Sequence, residues 1–214
     1  YLAMSVLSYD AIVIGSGQAG TPLAFKLASE EKKTAFIEYA DFGGTCVNTG
    51  CTPTKTYVAS ARRAYAVRNA AALGVNIDGN FSVNLSNVKA RKDELVAASR
   101  EGIREAIRQN EMIDVYEEKA VFEGSRQVRV GEQSLSATQI FINSGASASI
   151  PDSLNDFTSY TNRSILELEE LPEHLVIIGG SYIGLEFGQM FRRFGSKVTI
   201  VEMSPQIIGR EDEL

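Results

Sequence analysis

Cysteine is nearly missing: Cys46 and Cys51 are the two in 214 residues, too few for a secreted disulfide scaffold. Histidine is scarcer still, with His174 alone, so the chain holds little from which to build a metal site. No apolar run approaches the roughly 20 residues that a membrane-spanning helix needs. The N-terminal stretch YLAMSVLSYD also lacks the basic n-region of a signal peptide. There is no positive excess either: 21 Lys plus Arg face 27 Asp plus Glu, which argues against nucleic-acid binding through a basic surface. These absences predict a soluble, cytoplasmic protein with neither a membrane nor a nucleic-acid partner. A polyphosphate ligand stays open, because backbone amides at a helix N-terminus hold phosphate without net charge. With 44% hydrophobic and 22% charged residues, the chain can bury one sizeable core and the start of a second. Tyr at position 1 predicts a start inside a longer coding sequence.

What is present is a repeated unit. The apolar run DAIVI (10–14) leads into Gly15-Ser16-Gly17-Gln18-Ala19-Gly20, then a helical stretch from Thr21 to Ser29, then a strand from Thr34 to Ile37 that ends in Glu38. In such a unit the first glycine permits the turn, the second lets the backbone approach a pyrophosphate, and the third allows close helix–strand packing, while the acid hydrogen-bonds a ribose. A single match of this kind is imitated by any Gly-rich turn. Here LVII (175–178), Gly179-Gly180-Ser181-Tyr182-Ile183-Gly184, a helical LEFGQMFRRFG and the strand Lys197–Val201 ending in Glu202 repeat it. One offset of 164 residues carries Gly15, Gly20 and Glu38 onto Gly179, Gly184 and Glu202. The pattern predicts two dinucleotide sites. Ser181 replaces the middle glycine of the second unit, where the alternative is a plain tight turn. Glu202 would repel a 2′-phosphate and so favours NAD over NADP, although Arg210 lies nearby in sequence.

Between the units stands GGTCVNTGCTPTK, residues 43–55. The helix formers from Pro53 to about Ala72 predict a helix with Thr52 near its N-cap and Pro53 in its first turn. Cys51 then sits where helix-end amides and the macrodipole favour a thiolate and lower the thiol pKa. A bridge between Cys46 and Cys51 would close a short loop and add limited stability, which favours redox cycling as its use. Two buried free thiols, or half of a metal site, are the bland alternatives.

The segment GGTCVNTGCTPTK resembles the redox-active disulfide segment of the class I pyridine nucleotide–disulfide oxidoreductases, the flavoenzyme family of glutathione reductase, dihydrolipoamide dehydrogenase and mercuric reductase. VNTGCTPTK and the stretch from ELEELPEHLVIIGG to GREDE look most similar to mercuric reductase-like members. The resemblance implies an α/β fold: a Rossmann-like FAD-binding domain over residues 1–150, with a parallel sheet and a small antiparallel meander. Residues 151–214 would then be a linker and the start of a second Rossmann-like domain for NADH or NADPH. Gly15, Gly17, Gly20 and Glu38 would hold FAD, joined by Gly44, Thr45, Cys46, Ala120, Ser144 and Gly145; the chain reads INSGA where the family commonly has INTGA. Gly179, Gly184 and Glu202 would hold the nicotinamide cofactor.

The resemblance further implies that electrons pass from NAD(P)H through flavin to a Cys46–Cys51 disulfide, and on to a disulfide or metal-ion acceptor. Cys51 would face the flavin as the charge-transfer thiolate, and Cys46 would be the interchange thiol. Lys55, one helical turn after Cys51, would sit near the flavin and pair with Glu186. Without the motif, Lys55 reads as an exposed helix lysine and Glu186 as a surface acid. Tyr182 matches an aromatic residue that covers the flavin until nicotinamide enters, with a packed core tyrosine as the alternative. Other functional readings are a dihydrolipoamide dehydrogenase working in the NAD-reducing direction and a non-catalytic redox sensor. The family's acid–base histidine lies in a C-terminal interface domain, so a homodimer is expected of the complete enzyme and the 214 residues alone are expected to be inactive.

The remaining segments carry no catalytic cluster. A helix is predicted over about 88–110, strands around 113–122, 127–130 and 139–143, and a linker over 150–171. His174 reads as a surface or loop residue preceding a strand. The end at Leu214, a dozen residues past Glu202, predicts a truncated or partly ordered second domain.

Overall fold

The apolar start VLSYDAIVI forms β1 (Val6–Ile14), in which Tyr9, Ala11, Ile12 and Val13 are buried. Consecutive buried residues mean both faces are covered, as in the middle of a parallel sheet. The computed structural model that shows this describes residues 6–209; Arg210 lies outside them. After β1 come α1 (Gly20–Ser29), β2 (Thr34–Ile37), α2 (Gly44–Asn48), α3 (Cys51–Arg68) and α4 (Leu85–Arg108). These are followed by β3 (Ile113–Tyr116), β4 (Ala120–Gly124), β5 (Gln127–Val130) and β6 (Gln133–Ile142), and then by β7 (His174–Ile178), α5 (Tyr182–Phe194) and β8 (Lys197–Val201).

Packing divides the chain into two units: residues up to Thr52 together with Glu94–Ser149, and Pro53–Asp93 together with residues from Ile150 onward. The first unit holds a six-stranded sheet in the order β3-β2-β1-β6-β5-β4. Its first four strands are parallel, while β4 and β5 run antiparallel as a small meander beyond β6. One face packs Ala24, Leu27, Phe36, Phe42 and Ile107; the other packs Ile12, Ile37, Val128 and Leu135. This is the expected α/β architecture. β6 is longer than its predicted 139–143, because Ser134–Ser136 is laddered to both β1 and β5, and Gln133 to β5. Such polar residues carry little strand propensity and gain their place from backbone pairing. The single run predicted over 113–122 is two strands on opposite edges of the sheet.

In the second unit, α5 buries Phe187, Met190, Phe191 and Phe194, a stripe spaced for one helix face. They pack with Tyr57, Ala61 and Ala64 of α3 and with one face of the parallel pair β7-β8. Residues 150–171 are more than a connector. Ile165 and Leu166 are buried in this core, and the Tyr57 hydroxyl donates to the Leu166 carbonyl at 2.9 Å. Buried Lys92 donates to Glu167 at 2.6 Å. His174 opens β7 instead of preceding it; it is exposed, with Nε2 2.9 Å from Thr199 Oγ1.

Candidate functional site

In the first unit the turn after β1 is fixed by short contacts. Gly15 N donates to the Ile37 carbonyl at 2.8 Å, which carries the chain across the C-terminal end of β2. A Cβ on Gly20 would run into the Gly15 carbonyl oxygen, so only glycine lets α1 start this close to the turn. A Cβ on Gly17 would meet nothing within 4 Å. Nothing among the described residues requires glycine there, and the space above it is open to an approaching group.

Glu38, at the end of β2, is buried and folds back on the turn. Its Oε2 accepts from Ser16 N (2.9 Å) and Ser16 Oγ (2.7 Å), and its Oε1 from Ala40 N (2.8 Å). Ser16 Oγ in turn accepts from Gly43 N at 3.0 Å. A Cβ on Gly44 would lie 2.7 Å from Gly17 Cα, so the two backbones meet directly. These contacts seat the cysteine segment against the turn. Gly44, Thr45 and Cys46 lie on α2, and Cys46 is bridged to Cys51, the first residue of α3, with Cα atoms 4.7 Å apart. The helix therefore begins one residue before its predicted N-cap, and Cys51 itself occupies the amide-rich end. Cys46 is half-buried and Cys51 exposed. Both are oxidised, which removes the reading as free thiols.

Ser144 and Gly145 follow β6 at the same end of the sheet, where Asn143 N donates to the Ile14 carbonyl at 2.8 Å. Asn143 Nδ2 is buried and has no hydrogen-bond partner among the described residues. A Cβ on Gly15 would strike the Asn143 carbonyl, so this unmatched donor belongs to the residue against the turn. Ala120 opens β4 and packs half-buried with the cluster of Ile12, Ile37 and Val130.

The second unit repeats the geometry. Gly179 N donates to the Val201 carbonyl at 2.8 Å, and a Cβ on Gly184 would run into the Gly179 carbonyl. Glu202 accepts from Gly180 N at 2.7 Å and Ser204 N at 2.9 Å, the counterparts of Ser16 and Ala40. The Ser204 and Gly180 amides hold the Glu202 carboxyl below its usual range. Ser181 occupies the N-cap position of α5 without a side-chain capping bond, and is exposed. Tyr182 is 73% exposed, which excludes a packed core tyrosine. Lys55 and Glu186, 131 residues apart, form an ion pair.

The lowered carboxyl makes a signed prediction. A group whose pKa is depressed by folding contributes stability above its ordinary value, here 4.5, and loses it as pH falls through the folded value. Thermal midpoints of wild type are expected to fall more steeply than those of Glu202→Gln as the pH is lowered below 4.5. Parallel curves would remove Glu202 as a clamp on its turn.

A family model described as pyridine nucleotide-disulphide oxidoreductase matches residues 9–213. The chain belongs to that family. Membership implies FAD and a nicotinamide cofactor. Among curated relatives, the dihydrolipoyl dehydrogenase of Acholeplasma laidlawii is 34% identical over 211 residues, covering 96% of this chain and 62% of the relative. The mercuric reductase of Lysinibacillus sphaericus is 32% identical, covering 96% of this chain and 38% of the relative. A solved structure of the HOCl-induced flavoprotein disulfide reductase RclA from Escherichia coli superposes with a TM-score of 0.82 at 36% identity, over 96% of this chain and 44% of that one. The chain thus spans between about two fifths and three fifths of the length of these family members.

The first unit fits the dinucleotide that the family implies. It offers an open glycine turn, a carboxylate clamped at the end of β2 and an unmatched amide donor beside the turn. Sequence reasoning missed Ser16, which links Glu38 to the cysteine segment, and Asn143; a serine inside the turn was the one available signal for the former. It also missed Asn48 and Arg100. Asn48 lies between the two cysteines and was open to notice, whereas Arg100 is 52 residues away on α4.

Proposed function

We propose that the full-length protein is an FAD-dependent reductase that takes electrons from NADH or NADPH, stores them in the Cys46–Cys51 pair and delivers them to a disulfide or metal-ion acceptor. The observation that carries this reading is the oxidised cysteine pair, tied by Gly43–Ser16 and Gly44–Gly17 contacts to the glycine turn after β1. FAD, when bound, supplies a two-electron carrier between nicotinamide and disulfide. The chain's own residues do the rest. Amides from Gly17 to Gly20 would face phosphate oxygens, and Asn143 Nδ2 would gain the acceptor it lacks. Glu38 receives three hydrogen bonds, leaving about one of its four acceptor sites for a ribose hydroxyl.

When the disulfide gains two electrons, its S–S bond opens to a thiolate and a thiol. Cys51, at the first turn of α3, is placed to hold the negative charge through helix-end amides. Cys46 on α2 then attacks the acceptor. Lys55, the next turn along α3, brings a cation held by Glu186, and Tyr182 an exposed aromatic ring; both would serve the cofactors. Gly179, Gly184 and Glu202 would hold the nicotinamide nucleotide, with NAD favoured because a 2′-phosphate would be repelled by Glu202. A homodimer is proposed for the complete enzyme.

Purified full-length protein is expected to be yellow, to release FAD on denaturation at about one per chain, and to oxidise NADH or NADPH steadily with a disulfide or mercuric acceptor. Stoichiometric reduction of the cysteines without turnover would support a redox sensor instead. Colourless protein that does not bind added FAD would overturn the reading.

A further inference from the structure

α2 has five residues, far short of the length at which a helix holds itself in water. Besides the disulfide, its last residue is braced. Asn48 Nδ2 donates to the carbonyls of Phe42 (2.8 Å) and Gly44 (3.0 Å), folding the side chain back over the entrance of α2. Asn48 Oδ1 accepts from Arg100 Nε at 3.0 Å, and Arg100 Nη1 pairs with Asp41 Oδ1 at 2.8 Å. One guanidinium on α4 therefore holds both ends of the segment 41–48, which carries Cys46, and all of these residues lie in the first unit.

We propose that Arg100 is a positioning residue for the redox pair, acting through Asn48 and Asp41 to keep Cys46 within bonding reach of Cys51 while the disulfide is open. This rests on the reading of Cys46 and Cys51 as a redox couple. In the reducing step the disulfide takes up two electrons and one proton, its S–S bond breaks to a thiolate and a thiol, and the cross-link between α2 and α3 is lost, leaving the main chain through Thr49 and Gly50 to join them. How readily the bond re-forms depends on the effective concentration of one sulfur at the other. With the disulfide gone, the short Thr49-Gly50 link keeps the two sulfurs near each other, and the Asn48–Arg100–Asp41 brace and the Gly44–Gly17 contact set how far Cys46 departs from bonding geometry. A fork of several donors suits this task, since Nε and Nη1 engage two acceptors at once, which a lysine cannot reproduce. The Arg100–Asp41 pair is 40% and 58% exposed, so its loss leaves the fold standing.

The test is a redox titration of the flavin-loaded full-length protein against glutathione. Two glutathiones reduce the pair and one glutathione disulfide is released; alkylation and mass spectrometry then read Cys46 and Cys51. Arg100→Ala is expected to weaken the disulfide about tenfold, moving the midpoint about 30 mV in the oxidising direction. Arg100→Lys, which keeps the charge opposite Asp41, is expected to shift it part of the way. Arg108→Ala, on the same helix and paired with Glu117, is expected to leave it in place. A wild-type midpoint in Arg100→Ala, or an equal shift in Arg108→Ala, overturns the proposal and leaves the redox couple intact. If Arg100→Ala does not fold, an unshifted Arg100→Lys overturns it. A wild-type pair that never exchanges with glutathione sinks the redox reading itself, and this inference with it.

Discussion

Replacing Cys51 with serine is expected to cut NAD(P)H-driven turnover of the full-length protein by more than about a thousandfold, while its thermal midpoint drops only modestly. The two effects separate because the bridge spans a short loop. Four residues intervene between the cysteines, so the chain-entropy contribution of the disulfide is about 2 kcal/mol. Its chemical role has no substitute, since the described chain has no other cysteine pair to store two electrons. Cys46→Ser is expected to lose turnover equally, with a different leftover thiol. Cys51 alone, at the amide-rich start of α3, should alkylate faster at neutral pH than Cys46 alone in the Cys51→Ser protein. Equal rates would remove the helix end as the source of thiolate character.

The second large effect is a pair. Alanine is the better helix former by about 1 kcal/mol, so Gly20→Ala and Gly184→Ala would each stabilise a helix judged by propensity alone. Here the added Cβ strikes the carbonyl of Gly15 or Gly179, and each variant is expected to lose about 2–3 kcal/mol instead. The functional losses should differ. Gly20→Ala should release flavin, measured as the ratio of visible to protein absorbance. Gly184→Ala should keep the flavin and lose its reduction by NAD(P)H, measured by anaerobic mixing. Flavin loss in the Gly184 variant with full retention in the Gly20 variant would reverse the assignment of the two turns.

Much of this site was legible before any coordinates, because the information is local. A turn, a helix start and an acid at fixed spacing are set by steric rules over about 25 residues, and both copies fold alike down to the carbonyl that each third glycine faces. The cysteine segment was legible for the same reason. Lys55 and Glu186 are a different case: 131 residues separate them, and only the family resemblance pointed to their pairing. What stayed hidden depends on distant chain segments. The polar half of β6 is a strand because β1 and β5 flank it. Ile165 and Leu166 turn an apparent linker into core by meeting Tyr57 and α5. Arg100 is an unremarkable helix arginine until Asn48 and Asp41 are brought to it.

The central claim is that reduced nicotinamide delivers its electrons into the bond between Cys46 and Cys51. The most direct measurement is anaerobic treatment of the flavin-loaded full-length protein with NADH or NADPH, followed by acid quench, alkylation and peptide mass spectrometry. The account predicts that both cysteines pass from unlabelled to labelled, with oxidised nicotinamide formed in proportion, and that the Gly184→Ala protein shows far less of either. Cysteines that stay bridged while the nicotinamide is consumed would contradict it.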